Sequence, residues 1–238
     1  MSSSVMRRAA WPTVPRAASW WLAGIVLLTL LGFQRTITRS DHPLDVAHAV
    51  HGLSALGWSV ILAGQAWLAE RGRRDAHRLL GTLGVVFAFG LVATSLPMMR
   101  ALAAGTTANV GFRPIGLRLL AMDGLLLLLF VMLFAVAIAY VRRPVVHARA
   151  LAATGLLALP AGLGRVVMRV APVDPVVASY CALGSAALLL TALIVTDRRA
   201  GVRDAVQPVV LGAIAAIALL MGPLADSTWF AAWAERLG

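Results

Sequence analysis

The chain has 238 residues, 60% of them hydrophobic and 13% charged, and its mean hydropathy is +0.85. Soluble domains carry about 45–50% apolar and about 25% charged residues, so this composition excludes an ordinary soluble globular domain. All 21 basic residues are arginine, and against 10 acids they leave a formal charge of +11, which in so apolar a chain points to membrane orientation and anionic lipid before nucleic acid.

A bilayer core of about 30 Å needs about 20 apolar residues in helical form. Seven stretches meet that length, at residues 17–33, 44–69, 79–99, 115–141, 150–170, 176–196 and 206–222. Unpaired backbone groups cannot face lipid, and none of these runs alternates polar with apolar residues as a membrane β-strand does. The sequence therefore predicts an all-α, polytopic membrane bundle of seven transmembrane helices in one domain, with spans two to five as a four-helix core.

The first span follows Arg7, Arg8 and Arg16 and lacks a small-residue cleavage motif before Gln34, which makes it an uncleaved anchor. The longest connection is expected around residues 100–114, and the residues after span seven, with Trp229, Phe230 and Trp233, suit a short interfacial helix. With the N-terminus inside, 13 of the 21 arginines fall on the cytoplasmic side, including Arg71, Arg73, Arg74, Arg78, Arg142, Arg143, Arg149, Arg198, Arg199 and Arg203. The positive-inside rule thus predicts a bacterial inner-membrane protein with its N-terminus in the cytoplasm and its C-terminus outside.

Polar groups inside spans are expensive, and each is a functional hypothesis. Near the predicted outer side, His48 and His51 share one face of span two, Asp123 lies in span four, Arg165 and Arg169 lie in span five, and Arg118 precedes Asp123 by a little over a turn. If spans two, four and five are neighbours, these six form an outer-leaflet pocket for a small anionic, quinone-like or lipidic ligand. The plainer alternative is an Asp123–Arg165 ion pair, with the remaining arginines reaching for headgroups. Two histidines and a distant carboxylate are a loose signature for a metal.

At the other end, His77 precedes span three and His147 precedes span five, so two imidazoles begin parallel helices at nearly equal depth. Histidines from different helices at one height suit the axial ligands of a b-type haem, with neighbouring arginines such as Arg74 and Arg78 available to its propionates. Their proximity to arginine equally fits a solvated helix start.

Lesser features are a kink in span five from Pro160 with Gly155, Gly162 and Gly164, and Gln65 bonding a neighbouring helix. Met98, Met99 and Met122 read as core filler. The lone Cys181 excludes an internal disulfide and reads as a small buried thiol. No nucleotide fingerprint, nucleophile elbow or His-Glu-x-x-His motif is present.

The run His48-x-x-His51, Gln65, Arg74, His77-Arg78-x-x-Gly81, Gly111-Phe112 and His147-x-Arg149 with Arg165 resembles a bacterial family of multi-span membrane proteins of unknown function, over roughly residues 44–170. The same block resembles the four-helix core of the ascorbate-reducible di-haem b-type cytochromes. That likeness implies a redox protein in which His77 and His147 hold the cytoplasmic haem. The second pair is incomplete, because span four has no histidine to partner His48 or His51 and offers only Met122 or Asp123, so the likeness implies one haem at most. Seven-span metal hydrolases carry a His-x-x-x-His pair near the final helix, and no histidine follows His147.

Overall fold

The computed structural model describes residues 18–38 and 45–238. Arg7, Arg8, Arg16, Arg39 and His42 lie outside the described residues. Those described form helices joined by short turns, with no strand: α1 (Ala18–Thr38), α2 (Val46–Glu70), α3 (Arg74–Ala108), α4 (Arg113–Ala139), α5 (Pro144–Leu156), α6 (Leu159–Val170), α7 (Pro175–Arg199), α8 (Val206–Ala225) and α9 (Thr228–Leu237). With α5 and α6 taken as one broken crossing, seven of these are long and apolar enough to span a membrane, as the composition predicts.

Local chemistry sets the boundaries. Asp45 caps α2 by accepting from the His48 amide at 2.9 Å, and Asp174 caps α7 through the Val176 and Val177 amides. Proline in the first turn opens α4, α5, α6 and α7, where its missing N–H costs no helical bond. The α2–α3 and α7–α8 turns pass through Gly72 and Gly201, both at positive φ, a conformation glycine adopts without a Cβ clash.

Two expectations fail here. The connection placed around 100–114 is largely helix, because α3 runs on to Ala108 and only residues 109–112 turn. Thr106, buried, satisfies its own hydroxyl on the Ala103 carbonyl, and Gly238 at the end of α9 seats against the Ala103–Ala104 backbone, so tertiary packing supports helix where Gly-Thr-Thr suggested a loop. Cys181 is exposed on the bundle's outer face; the apolar surroundings its sequence implied are available from lipid.

Span five breaks at Leu157–Ala158, as its proline and glycines predict. Below the break α5 packs on α4; beyond it α6 packs between α1 and α7. Gly162 permits the α1–α6 crossing, since a Cβ there would stand 2.8 Å from the Thr29 Cα.

The buried residues form two clusters. The larger joins α4, α5, α7 and α8 through residues such as Leu120, Leu156, Leu190 and Ile214. The smaller centres on Trp58, with Leu22, Leu62, Ala88 and Phe130. Trp58 meets Phe130 and Phe134 edge-on, at 5.6 Å each, and its indole N–H donates to Thr154 Oγ1 at 3.1 Å. Spans two to five do pack around one another, and the middle of that block is filled by this aromatic group.

Candidate functional site

The end of the bundle holding the α2–α3, α4–α5 and α7–α8 turns is called here the basic end, for the arginines those turns carry. His77 is the fourth residue of α3 and His147 the fourth of α5, and each amide makes its helix's early bond back to an arginine carbonyl, Arg73 and Arg143 respectively. The two rings line one cavity, together with residues of α1, α2, α7 and α8. Each is held through Nδ1: His77 donates to the Gln65 carbonyl at 3.3 Å, and His147 to the Ala137 carbonyl at 2.8 Å. A carbonyl only accepts, so the proton lies on Nδ1 and, in the neutral ring, the lone pair lies on Nε2. Ligating histidines are commonly oriented in this way.

Gln65 and His77 clasp each other. The Gln65 amide Nε2 donates to the His77 carbonyl at 2.8 Å while His77 donates to the Gln65 carbonyl, which ties α2 to α3. Gly81 makes room for this: a Cβ there would stand 3.1 Å from Gln65 Nε2. The sequence expectation that Gln65 bonds a neighbouring helix is met, and the His77-Arg78-x-x-Gly81 spacing acquires a physical cause.

Arg149 also lines the cavity and is 5% exposed. Its Nη2 donates to Asp197 at 2.6 Å and its Nη1 to Asp204, whose other oxygen caps α8 through the Val206 amide. The triad locks α5 to the α7–α8 turn. Sequence reasoning singled out Arg149 but missed both aspartates; the available signal was their position, two of only 10 acids flanking the turn between the last two spans of an arginine-rich chain. On the far side of the triad lies a second recess of about 350 Å³, lined by Asp197, Asp204, Arg198 and Arg203.

Among the described residues, three buried side-chain atoms have no hydrogen-bond partner: Trp21 Nε1, Gln65 Oε1 and Arg149 Nε. All three residues line the cavity that His77 and His147 share. Leaving such a group unpaired costs about 1–3 kcal/mol, so three around one space mark a place where something polar belongs. Water centres can reach about 70 Å³ of that space, well above the roughly 10–15 Å³ one water needs. Arg74 and Arg78, expected to serve the same site, are exposed and do not line it.

At the far end, the six residues expected to make one pocket mostly have separate partners, and none lines the shared cavity. His48 is exposed and contacts Asp45 at 2.7 Å, holding the Asp45 carboxyl below its ordinary value by hydrogen bonding to the ionised form. His51 donates from Nδ1 to Thr94 Oγ1 at 3.0 Å, the threonine's own proton being given to the Gly90 carbonyl. Arg118 pairs with Asp226 at 3.0 Å on α8's C-terminal side, not with Asp123. Arg169 reaches across to the Leu31 and Gly32 carbonyls at the end of α1. Arg165 bonds the Ala161 carbonyl at 2.7 Å and lies over the Phe33 ring, 4.0 Å from its centroid.

Of these six, Asp123 is the one with no hydrogen bond or ion pair to another described residue. Its side chain is exposed on the bundle surface, and Arg165 is the charge it feels. The alternative of a direct Asp123–Arg165 contact is not formed. Met122 is buried as core, as expected.

Among the described residues, no group of three or more histidine, cysteine or acidic side chains is arranged to hold a metal ion. Compared with protein-family models, with curated proteins and with solved structures, the chain matches none.

Proposed function

We propose that this chain is a bacterial inner-membrane redox protein that binds one b-type haem between His77 and His147, with its basic end and N-terminus in the cytoplasm. The observation that carries the reading is that two imidazoles from separate helices, at matched helical positions, line one cavity with both Nδ1 atoms tied to backbone carbonyls.

The donor types present suit such a group, while the enclosed space of about 70 Å³ is smaller than a porphyrin, so binding would have to part the surrounding helices. The two imidazoles would hold the iron, and Ala66, Ala69, Ala148, Ala152 and Leu151 give a wall of small and apolar surface. Haem bound there would supply one-electron chemistry. The protein's part is to hold both rings in one tautomer through the Gln65 and Ala137 carbonyls, and to exclude bulk water with the Arg149–Asp197–Asp204 triad. The likeness to the ascorbate-reducible b-type cytochromes belongs to the same proposal, restricted to one haem because the far end provides no second facing pair. The test is an oxidised-minus-reduced absorption spectrum of protein purified from haem-replete cells, with His77→Ala and His147→Ala as controls.

A second reading is a non-enzymatic carrier or sensor that takes a small anionic or lipidic ligand at the far end. Asp123, accessible and unpaired opposite Arg165, favours it. Loss of ligand binding in Asp123→Asn or Arg165→Gln, with a featureless visible spectrum, would support that reading over the first.

A further inference from the structure

We infer that the cavity at the basic end recognises an uncharged, ring-sized head group of the quinone or hydroquinone class, gripped by Trp21 Nε1, Arg149 Nε and Gln65 Oε1. The inference stands on these three atoms and not on the imidazole pair; haem would share the same space, so the quinone is tested first on the haem-free chain, and added haem should weaken it.

The three atoms define a pattern of two donors and one acceptor. Trp21 offers only an N–H. Gln65 is fixed by its clasp: Nε2 is committed to the His77 carbonyl, so Oε1 is left as an acceptor. Gln65 is 7% exposed and Arg149 5% exposed, so neither can turn to bulk water for its missing partner.

Charge then selects among ligands. Both terminal nitrogens of Arg149 are taken by carboxylates, and one guanidinium facing Asp197 and Asp204 leaves no positive excess for an anion. What remains is a single N–H donor, Nε, suited to a neutral carbonyl. A carboxylate or phosphate at this place would meet two aspartates behind the arginine. A quinone presents two carbonyl acceptors, and its reduced form adds hydroxyl donors that Gln65 Oε1 can receive. The apolar remainder of the wall, including Leu22, Leu62 and Leu156, suits a ring.

The experiment is calorimetric titration of the purified full chain in detergent, with and without haem, using 1,4-naphthoquinone and a naphthoquinone sulfonate of the same ring. The neutral quinone should bind saturably and the sulfonate at least tenfold more weakly. Trp21→Phe keeps the apolar ring and removes one hydrogen bond, and should weaken the neutral probe about fivefold. Gln65→Met removes both the acceptor for a hydroquinone hydroxyl and the Nε2 bond to the His77 carbonyl, and should weaken 1,4-naphthohydroquinone more than 1,4-naphthoquinone because only the former uses the acceptor. Absence of saturable heat, which a cavity holding water alone would give, overturns the inference. So does an unchanged affinity in Trp21→Phe, or a sulfonate that binds as well as the neutral ring. A flat haem spectrum with quinone binding retained removes the haem proposal alone.

Discussion

Both ends of the bundle carry polar groups and use them differently. At the far end, arginines and histidines that sequence depth gathers into one pocket are each committed locally: Arg118 to Asp226, Arg169 to two carbonyls of α1, His51 to Thr94. At the basic end, three buried side-chain atoms, on Trp21, Gln65 and Arg149, have no partner, and the residues that carry them line one cavity. The difference teaches that nearness in depth does not make a site. Unspent hydrogen-bonding capacity around shared space is the stronger sign, because a folded chain in lipid satisfies what it can internally.

The comparison is broken most severely by removing Arg149. Arg149→Met would leave Asp197 and Asp204 as buried carboxylates without their counter-charge, a cost of about 3–5 kcal/mol. Monodispersity and thermal stability in detergent should collapse, and adding Asp197→Asn with Asp204→Asn should restore part of the loss. Next in size is Gly162→Ala, whose new methyl would press on the Thr29 backbone and prise α1 from α6. About 1–3 kcal/mol of stability should go, read as a lowered Tm.

Smaller effects belong to the far end. The Arg118–Asp226 pair has side chains 30% and 64% exposed, and a pair of that kind contributes about 0–1 kcal/mol, so Arg118→Gln should shift Tm by little and leave the basic-end cavity unaffected. The smallest concerns Asp45. Its pKa is depressed in the folded state by the His48 backbone and side-chain hydrogen bonds, so its cap on α2 is in place above the ordinary value of 3.8 and is lost as pH falls through the lower folded value. A carboxyl titration by NMR should find its midpoint below 3.8 in the wild type.

The spans were legible in the sequence because twenty-odd apolar residues have one stable form in lipid. So were the break in span five, written in Pro160 and its glycines, and the bond from Gln65 to the next helix. The end of α3 was not, because the support for helix through Gly105 and Thr106 comes from α9, more than a hundred residues later in the chain. Separation along the chain likewise hid Asp197 and Asp204, 48 and 55 residues on, from Arg149, and Asp226, 108 residues on, from Arg118. The matched positions of His77 and His147 were readable from helix starts alone. The convergence of Trp21, Gln65 and Arg149 on the same space was not, because it depends on how α1, α2 and α5 meet.

The most direct test of the haem proposal is the oxidised-minus-reduced spectrum of the purified protein. The account predicts a single b-type signature that persists in His48→Ala and His51→Ala and vanishes in His77→Ala and in His147→Ala. A flat spectrum from haem-replete cells, or bands that survive the loss of both basic-end histidines, would contradict it.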